Sequence, residues 1–164
     1  MTQARRSSLG RLAGSVALIF LGVAAGAAQE PRGLEAGVQG MVALADPVFA
    51  GGGAAAALRT GGRSRVALAM VPGNRDGRFA FRGELTAHFL LDPGRRHGVS
   101  PYAVGGIAGV IGRSDNAFVV AGLGLEAAPG GRSGWWIEGG AGGGARLAVG
   151  WRWRWLRWRS PRPP

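Results

Sequence analysis

The sequence predicts an all-β chain folded as an eight-stranded antiparallel up-and-down β-barrel, and three observations carry that expectation. Apolar residues alternate with small or polar ones at a period of two along most of the chain. Clusters of Gly, Pro, Asn, Asp and Ser punctuate the alternation. No intervening segment is long enough for a crossover helix, so successive strands pair antiparallel in sequence order. Composition narrows the field: 164 residues suit one domain, and the absence of Cys excludes disulfide scaffolds, Cys-ligated metals and thiol catalysis. The 32 glycines lack a three-residue period, which excludes collagen. A net charge of +11, from 20 arginines and no lysine, raises nucleic-acid binding as a competing reading.

Two strands are marked most sharply. From Gly77 to Leu91, Phe79, Phe81, Leu85, Ala87, Phe89 and Leu91 share one parity, and Ala80, Arg82, Glu84, Thr86, His88 and Leu90 the other. Side chains of a strand alternate between its two faces, so this segment has one greasy face and one carrying both charge signs. From Ala145 to Trp155, Leu147, Val149, Trp151, Trp153 and Trp155 oppose Arg146, Ala148, Gly150, Arg152 and Arg154. Weaker alternation marks Leu34 to Ala45, Arg65 to Val71, Ser100 to Ile111, Ala117 to Ala127 and Gly134 to Gly142. Val48 to Arg59, mostly Gly and Ala, completes eight. The turns expected between them include Asp46-Pro47, the run Pro72 to Gly77, Asp92 to Gly98, Gly112 to Asn116, Pro129 to Ser133 and Gly142 to Gly144.

A closed meander removes exposed edges, and two orientations are open to it. A soluble, lipocalin-like barrel would turn its apolar face inward around an apolar ligand, whereas a transmembrane β-barrel turns that face to lipid. The second face decides between them, because it is built of Gly, Ala and a few charges of both signs. An eight-stranded lumen is just wide enough for side chains to fill, so small residues beside paired polar groups suit it. Strands of about 9 to 11 residues also match a tilted crossing of the hydrocarbon layer. The expected lumen network is therefore Glu35, Arg82, Glu84, His88, Tyr102, Glu126, Glu138, Arg146, Arg152 and Arg154. Closure sets Glu35 near Arg152 or Arg154, and the hairpin around Arg95 sets His88 opposite Tyr102. Such a network plugs the lumen and leaves no continuous water-filled pore. Trp135, Trp151, Trp153 and Trp155 are the expected interfacial aromatics, with Trp136 and Trp158 placed in the same girdle.

The N-terminus reads as a cleavable signal peptide. Arg5, Arg6 and Arg11 precede an apolar run, Leu12 to Ala28, that is too short to span a bilayer and ends in small residues. The expected organisation is a leader at residues 1–28, a barrel at 29–158 and an Arg/Pro-rich tail at 159–164. A retained anchor helix is the competing reading of the leader.

The remaining motifs resolve without chemistry. Trp151 to Arg159 interleaves aromatics with cations as single-strand nucleic-acid binders do, but in a final barrel strand the tryptophans face lipid and the arginines the lumen or rim, so no nucleic-acid partner is expected. A patch for anionic lipid headgroups is a third reading of that tail. His88 and Glu84 lie about 13 Å apart along one strand, too far for a hydrogen-bonded catalytic pair. His97 sits in a turn beside Arg95 and Arg96, and no nucleophile elbow or metal-ligand spacing occurs. Gly122-Leu123-Gly124 is followed by no helix, and the Gly105/Gly109 pair lies in a strand-like run, so neither is a nucleotide or helix-dimer motif. No cofactor and no catalytic residue are expected.

The Pro-Tyr then Gly-Gly run from Ser100 to Gly109 and the aromatic-ended final strand Ala145 to Trp155 resemble the small eight-stranded outer-membrane barrels of two-membrane bacteria, the family of the outer-membrane protein A transmembrane domain. Here the chain continues past the final aromatic strand through Arg157 to Pro164. The resemblance implies residence in the outer membrane, with its lipids and the barrel-assembly machinery as partners. It also implies a structural or interaction role. Some members of this scaffold modify lipid A, which keeps a membrane enzyme as an alternative.

Overall fold

The computed structural model describes residues 33–60, 62–112 and 115–156. The expected leader, the tail, Arg157 and Trp158 lie outside them. Eight strands follow one another: β1 (Gly33–Leu44), β2 (Phe49–Arg59), β3 (Ser64–Arg75), β4 (Arg78–Leu90), β5 (Val99–Ile111), β6 (Asn116–Ala127), β7 (Ser133–Ala141) and β8 (Ala145–Leu156). Each pairs antiparallel with its sequence neighbours, and β1 pairs with β8 from Gly33↔Leu156 to Leu44↔Ala145, closing the barrel. The end carrying Gly33 and Leu156 is termed proximal and the opposite end distal. The ladder between β6 and β7 is the shortest, running only from Ala121↔Ala141 to Glu126↔Trp136.

The alternation sets the two faces. Phe79 is 75% exposed while its neighbour Ala80 is buried, and the outward positions of all eight strands carry no charged residue. Inward positions hold the buried arginines and glutamates. The glycine- and alanine-rich β2 is a full strand, paired along its length with β1 and at both ends with β3.

One expected turn is corrected. The segment Pro72 to Arg75 belongs to β3, paired with Phe81 to Arg78, and the connection is only Asp76-Gly77. Both residues have positive φ, 56° and 72°, as a two-residue type I′ hairpin demands. The Gly77 amide also donates to Asn74 Oδ1 at 2.8 Å. Pro72 lies inside β3, and the β2–β3 ladder is interrupted around it, at Gly52, Gly53, Val71 and Pro72, with the same register on either side. The connections differ by end. Distal ones comprise residues 45–48, 76–77, 112–115 and 142–144; proximal ones comprise 60–63, 91–98 and 128–132. The two longest proximal connections are tied together, Gly130 donating to the Arg96 carbonyl at 3.1 Å and Ala128 to that of Gly98 at 2.7 Å.

Candidate functional site in the barrel lumen

The inward parity brings six guanidinium groups, Arg59, Arg65, Arg82, Arg146, Arg152 and Arg154, together with four carboxylates, Glu35, Glu84, Glu126 and Glu138, all buried. Ions in a low-dielectric interior are tolerated when each has an opposite partner and its remaining hydrogen-bonding atoms are occupied. Sharing gives Glu35, Glu84 and Glu126 at least two guanidinium neighbours each and Glu138 one, while Glu35 Oε1 and Glu126 Oε1 accept no hydrogen bond from the described residues.

In the proximal half, Arg65 Nη1 donates to Glu35 at 3.2 Å and to Glu126 at 2.9 Å. Arg152 Nη1 bridges the same two carboxylates at 3.3 and 3.1 Å, and Arg154 adds a contact to Glu126 at 3.3 Å. Arg59 stands slightly farther off, 3.8 Å from Glu35 and 3.9 Å from Glu126. The antiparallel closure of β1 on β8, which sets Glu35 opposite Arg154, builds this cluster from residues at the two ends of the barrel domain.

A band of hydrogen-bonded rings occupies the middle. Arg65 Nη2 lies 2.8 Å from His88 Nδ1, and since a guanidinium only donates, that nitrogen accepts. Nε2 therefore carries the proton and donates to Thr86 Oγ1 at 2.9 Å. The imidazole stacks on Tyr102, centroids 5.2 Å apart and planes 9° from parallel, and the Tyr102 hydroxyl donates to Glu138 at 2.9 Å. Both imidazole nitrogens are thus engaged within the network, and Glu84 bonds elsewhere.

Farther toward the distal end Arg146 grips Glu84 through Nε and Nη2 at 3.1 and 2.7 Å and reaches Glu138 through Nη1 at 2.9 Å. Arg82 donates to Glu84 at 2.8 Å and caps the Gly142 carbonyl at 2.9 Å. Beyond them the lumen turns apolar: Met41, Ala43, Phe49, Val71, Ala80, Val110, Trp136 and Ala148 form one buried cluster, with Phe118 packed against it.

Two aromatic side chains find room because a neighbouring strand offers a glycine. Tyr102 sits across the β5–β6 ladder from Gly124, where an added Cβ would collide with its ring. Trp136 faces Gly150 across β7–β8, where a Cβ would approach its ring to 2.7 Å. Between the charged groups and an alanine wall from β2 and β3, including Ala55, Ala57, Ala67 and Ala69, lies a cavity of about 40 Å³. That is room for a few water molecules.

All ten residues expected in the lumen network are buried inside, and Arg65, which was not among them, joins their two groups into one set. Glu35 contacts Arg152, as the closure argument expected. The His88–Tyr102 contact is diagonal rather than opposite: the register pairs His88 with Val104 and Tyr102 with Leu90. Trp136 is corrected from the outer girdle to the lumen, where the Arg152 guanidinium lies 5.2 Å from its ring centroid. Adjacent strand residues cannot face the same way, so Glu138 at the same parity already placed Trp136 inside. Trp135, Trp151, Trp153 and Trp155 are exposed on the outer wall in the proximal half, Trp135 directly across from Trp151. Arg59, Arg65, Gln39 and Thr86 are lumen residues that sequence reasoning did not single out. The parity of Val66, Leu68 and Met70 carried the signal for Arg65; Arg59 ends the strand with the faintest alternation.

This geometry, charge within and an uncharged apolar wall without, together with a closed eight-stranded meander, is the fold of the small outer-membrane barrels. Three solved structures are similar to the chain. The N-terminal β-barrel domain of Pseudomonas aeruginosa OprF matches with a TM-score of 0.58 at 17% identity, covering 77% of this chain and 100% of that one. P. aeruginosa outer membrane protein OprG matches at 0.52 and 10% identity, covering 77% and 96%. The de novo designed TMB2.3 matches at 0.51 and 17%, covering 77% and 96%. No family model matches the chain, and no curated protein does.

Proposed function

We propose that the protein is an integral outer-membrane β-barrel, exported by its N-terminal leader, whose lumen is plugged by its own side chains and whose role is structural or in interaction rather than catalysis. The observation that carries this reading is the wall: no outward strand position is charged, and Leu, Val, Ile, Phe and Trp cover it. Water offers no reason for such a surface, and hydrocarbon demands it. A soluble ligand-binding barrel requires the opposite orientation, with apolar residues lining a ligand-sized cavity. A lipid A-modifying activity would need a nucleophile and base presented at the bilayer, whereas His88 is buried and held by Arg65 and Thr86. Outer-membrane lipids and the assembly machinery are the partners this reading entails, and it needs no cofactor. Fractionation of expressing cells, followed by SDS gels of unheated and boiled samples, tests it. The expected result is recovery in the outer membrane and a mobility difference between the two samples; release with the soluble periplasm would overturn it.

A further inference from the structure

The two ends of the barrel carry different charge. The proximal connections present Arg63, Arg95, Arg96 and Arg132, all exposed, against a single acid, Asp92. Asp92 pairs with Arg95 at 2.8 Å, and the net charge of these connections is three positive. Among the described residues the distal rim instead mixes Asp46, Asp76 and Asp115 with Arg75 and Arg78. The outer-wall tryptophans follow the same asymmetry. Trp155 lies one residue from the proximal end of β8 opposite Leu34, with Trp153 two residues farther along the same strand and the cross-strand pair of Trp151 and Trp135 nearer the middle of the wall. Indole rings favour the headgroup level, where an apolar body and a polar N–H are both accommodated. Just beyond such a belt, arginines stand at the depth of lipid phosphates, where each cation is attracted to an anionic surface.

We propose that the proximal rim is a docking surface for anionic phospholipid headgroups, with Arg63, Arg96 and Arg132 contributing the charge and Trp155 and Trp153 at the proximal edge of the wall setting the depth. The proposal rests on the membrane reading above. It assigns the proximal leaflet, and not the distal one, as the leaflet whose composition the barrel senses.

The tryptophans supply the readout, because those on the outer wall lie in the proximal half. The folded barrel is placed in phosphatidylcholine vesicles containing a fixed fraction of acyl-brominated lipid, either phosphatidylglycerol or phosphatidylcholine, and tryptophan quenching is compared. Brominated phosphatidylglycerol is expected to quench as though enriched about three-fold or more around the protein at low salt. The preference should collapse in 0.5 M NaCl, which shortens the screening length to a few ångströms (about 3 Å at 1 M). The triple variant R63Q/R96Q/R132Q should bring the ratio of the two quenchers close to one, while R75Q/R78Q at the distal rim leaves the preference intact. Equal quenching by the two lipids in the unmodified barrel overturns the headgroup site and leaves the barrel in its membrane. A preference that survives the triple variant overturns the assignment to these arginines. Quenching by neither lipid overturns the membrane reading and this proposal with it.

Discussion

The two halves of the lumen are filled differently on one and the same scaffold. The proximal half holds Arg59, Arg65, Arg152 and Arg154 around Glu35 and Glu126, charges that are tolerable only because the carboxylates are shared. The distal half combines one chain of ion pairs, Arg82 and Arg146 on Glu84, with an apolar cluster of Met41, Phe49, Val71 and Val110, which needs no partner at all. The difference teaches where specificity resides. An apolar plug accepts any filling of the right volume, whereas a shared carboxylate fixes which strands must meet, because its arginines come from β3 and β8 while the acids come from β1 and β6. The proximal network therefore favours one register across the closure, a constraint the apolar cluster does not impose.

Isosteric changes in the two halves break that comparison open. Glu126→Gln keeps the shape but leaves Arg65, Arg152 and Arg154 short of a buried countercharge. Its expected cost is about 3–5 kcal/mol, read as a fall in the urea midpoint of unfolding from lipid vesicles. The outer wall provides the next test. Val38, halfway along β1 and facing outward between Ala54 and Trp151, is replaced by Arg. A guanidinium at that depth should cost about 2–4 kcal/mol in a bilayer by the same measurement, since the identical group is welcome one parity away. Gly124→Ala should cost about 1–3 kcal/mol by driving a methyl into Tyr102 and loosening its bond to Glu138. Met41→Leu in the distal plug changes shape at nearly constant volume, and its expected cost is under about 1.5 kcal/mol. A reversal of the first and last of these would mean that the charged cluster is incidental.

Legibility followed the contrast between the faces. On β4 and β8 one parity is aromatic or aliphatic and the other charged, so strand, orientation and the inward placement of Arg82, Glu84, His88, Arg146, Arg152 and Arg154 were all readable. Toward the distal end that contrast disappears: Val71 inside is as apolar as Met70 outside, and Pro72-Gly73-Asn74 has the composition of a turn. Composition alone accordingly predicts a loop at the distal end of β3, although its pairing with β4 and the short Asp76-Gly77 hairpin carry it on as strand. Arg59 and Arg65 escaped notice because β2 and β3 offer Gly and Ala on their inward faces, leaving few large neighbours to announce the parity. Register is harder still to read, since it depends on where each ladder begins: His88 and Tyr102 were correctly brought together but displaced by two residues.

A lumen plugged by its own side chains, with four carboxylates shared among six arginines, is the central proposal. Single-channel recording of the refolded protein in planar bilayers tests this most directly. The expected trace is a quiet bilayer at potentials where open barrels conduct, with discrete steps emerging when the distal plug is cut back by combining Phe49→Ala with Met41→Ala. Stable, large conductance steps from the unmodified protein would contradict it.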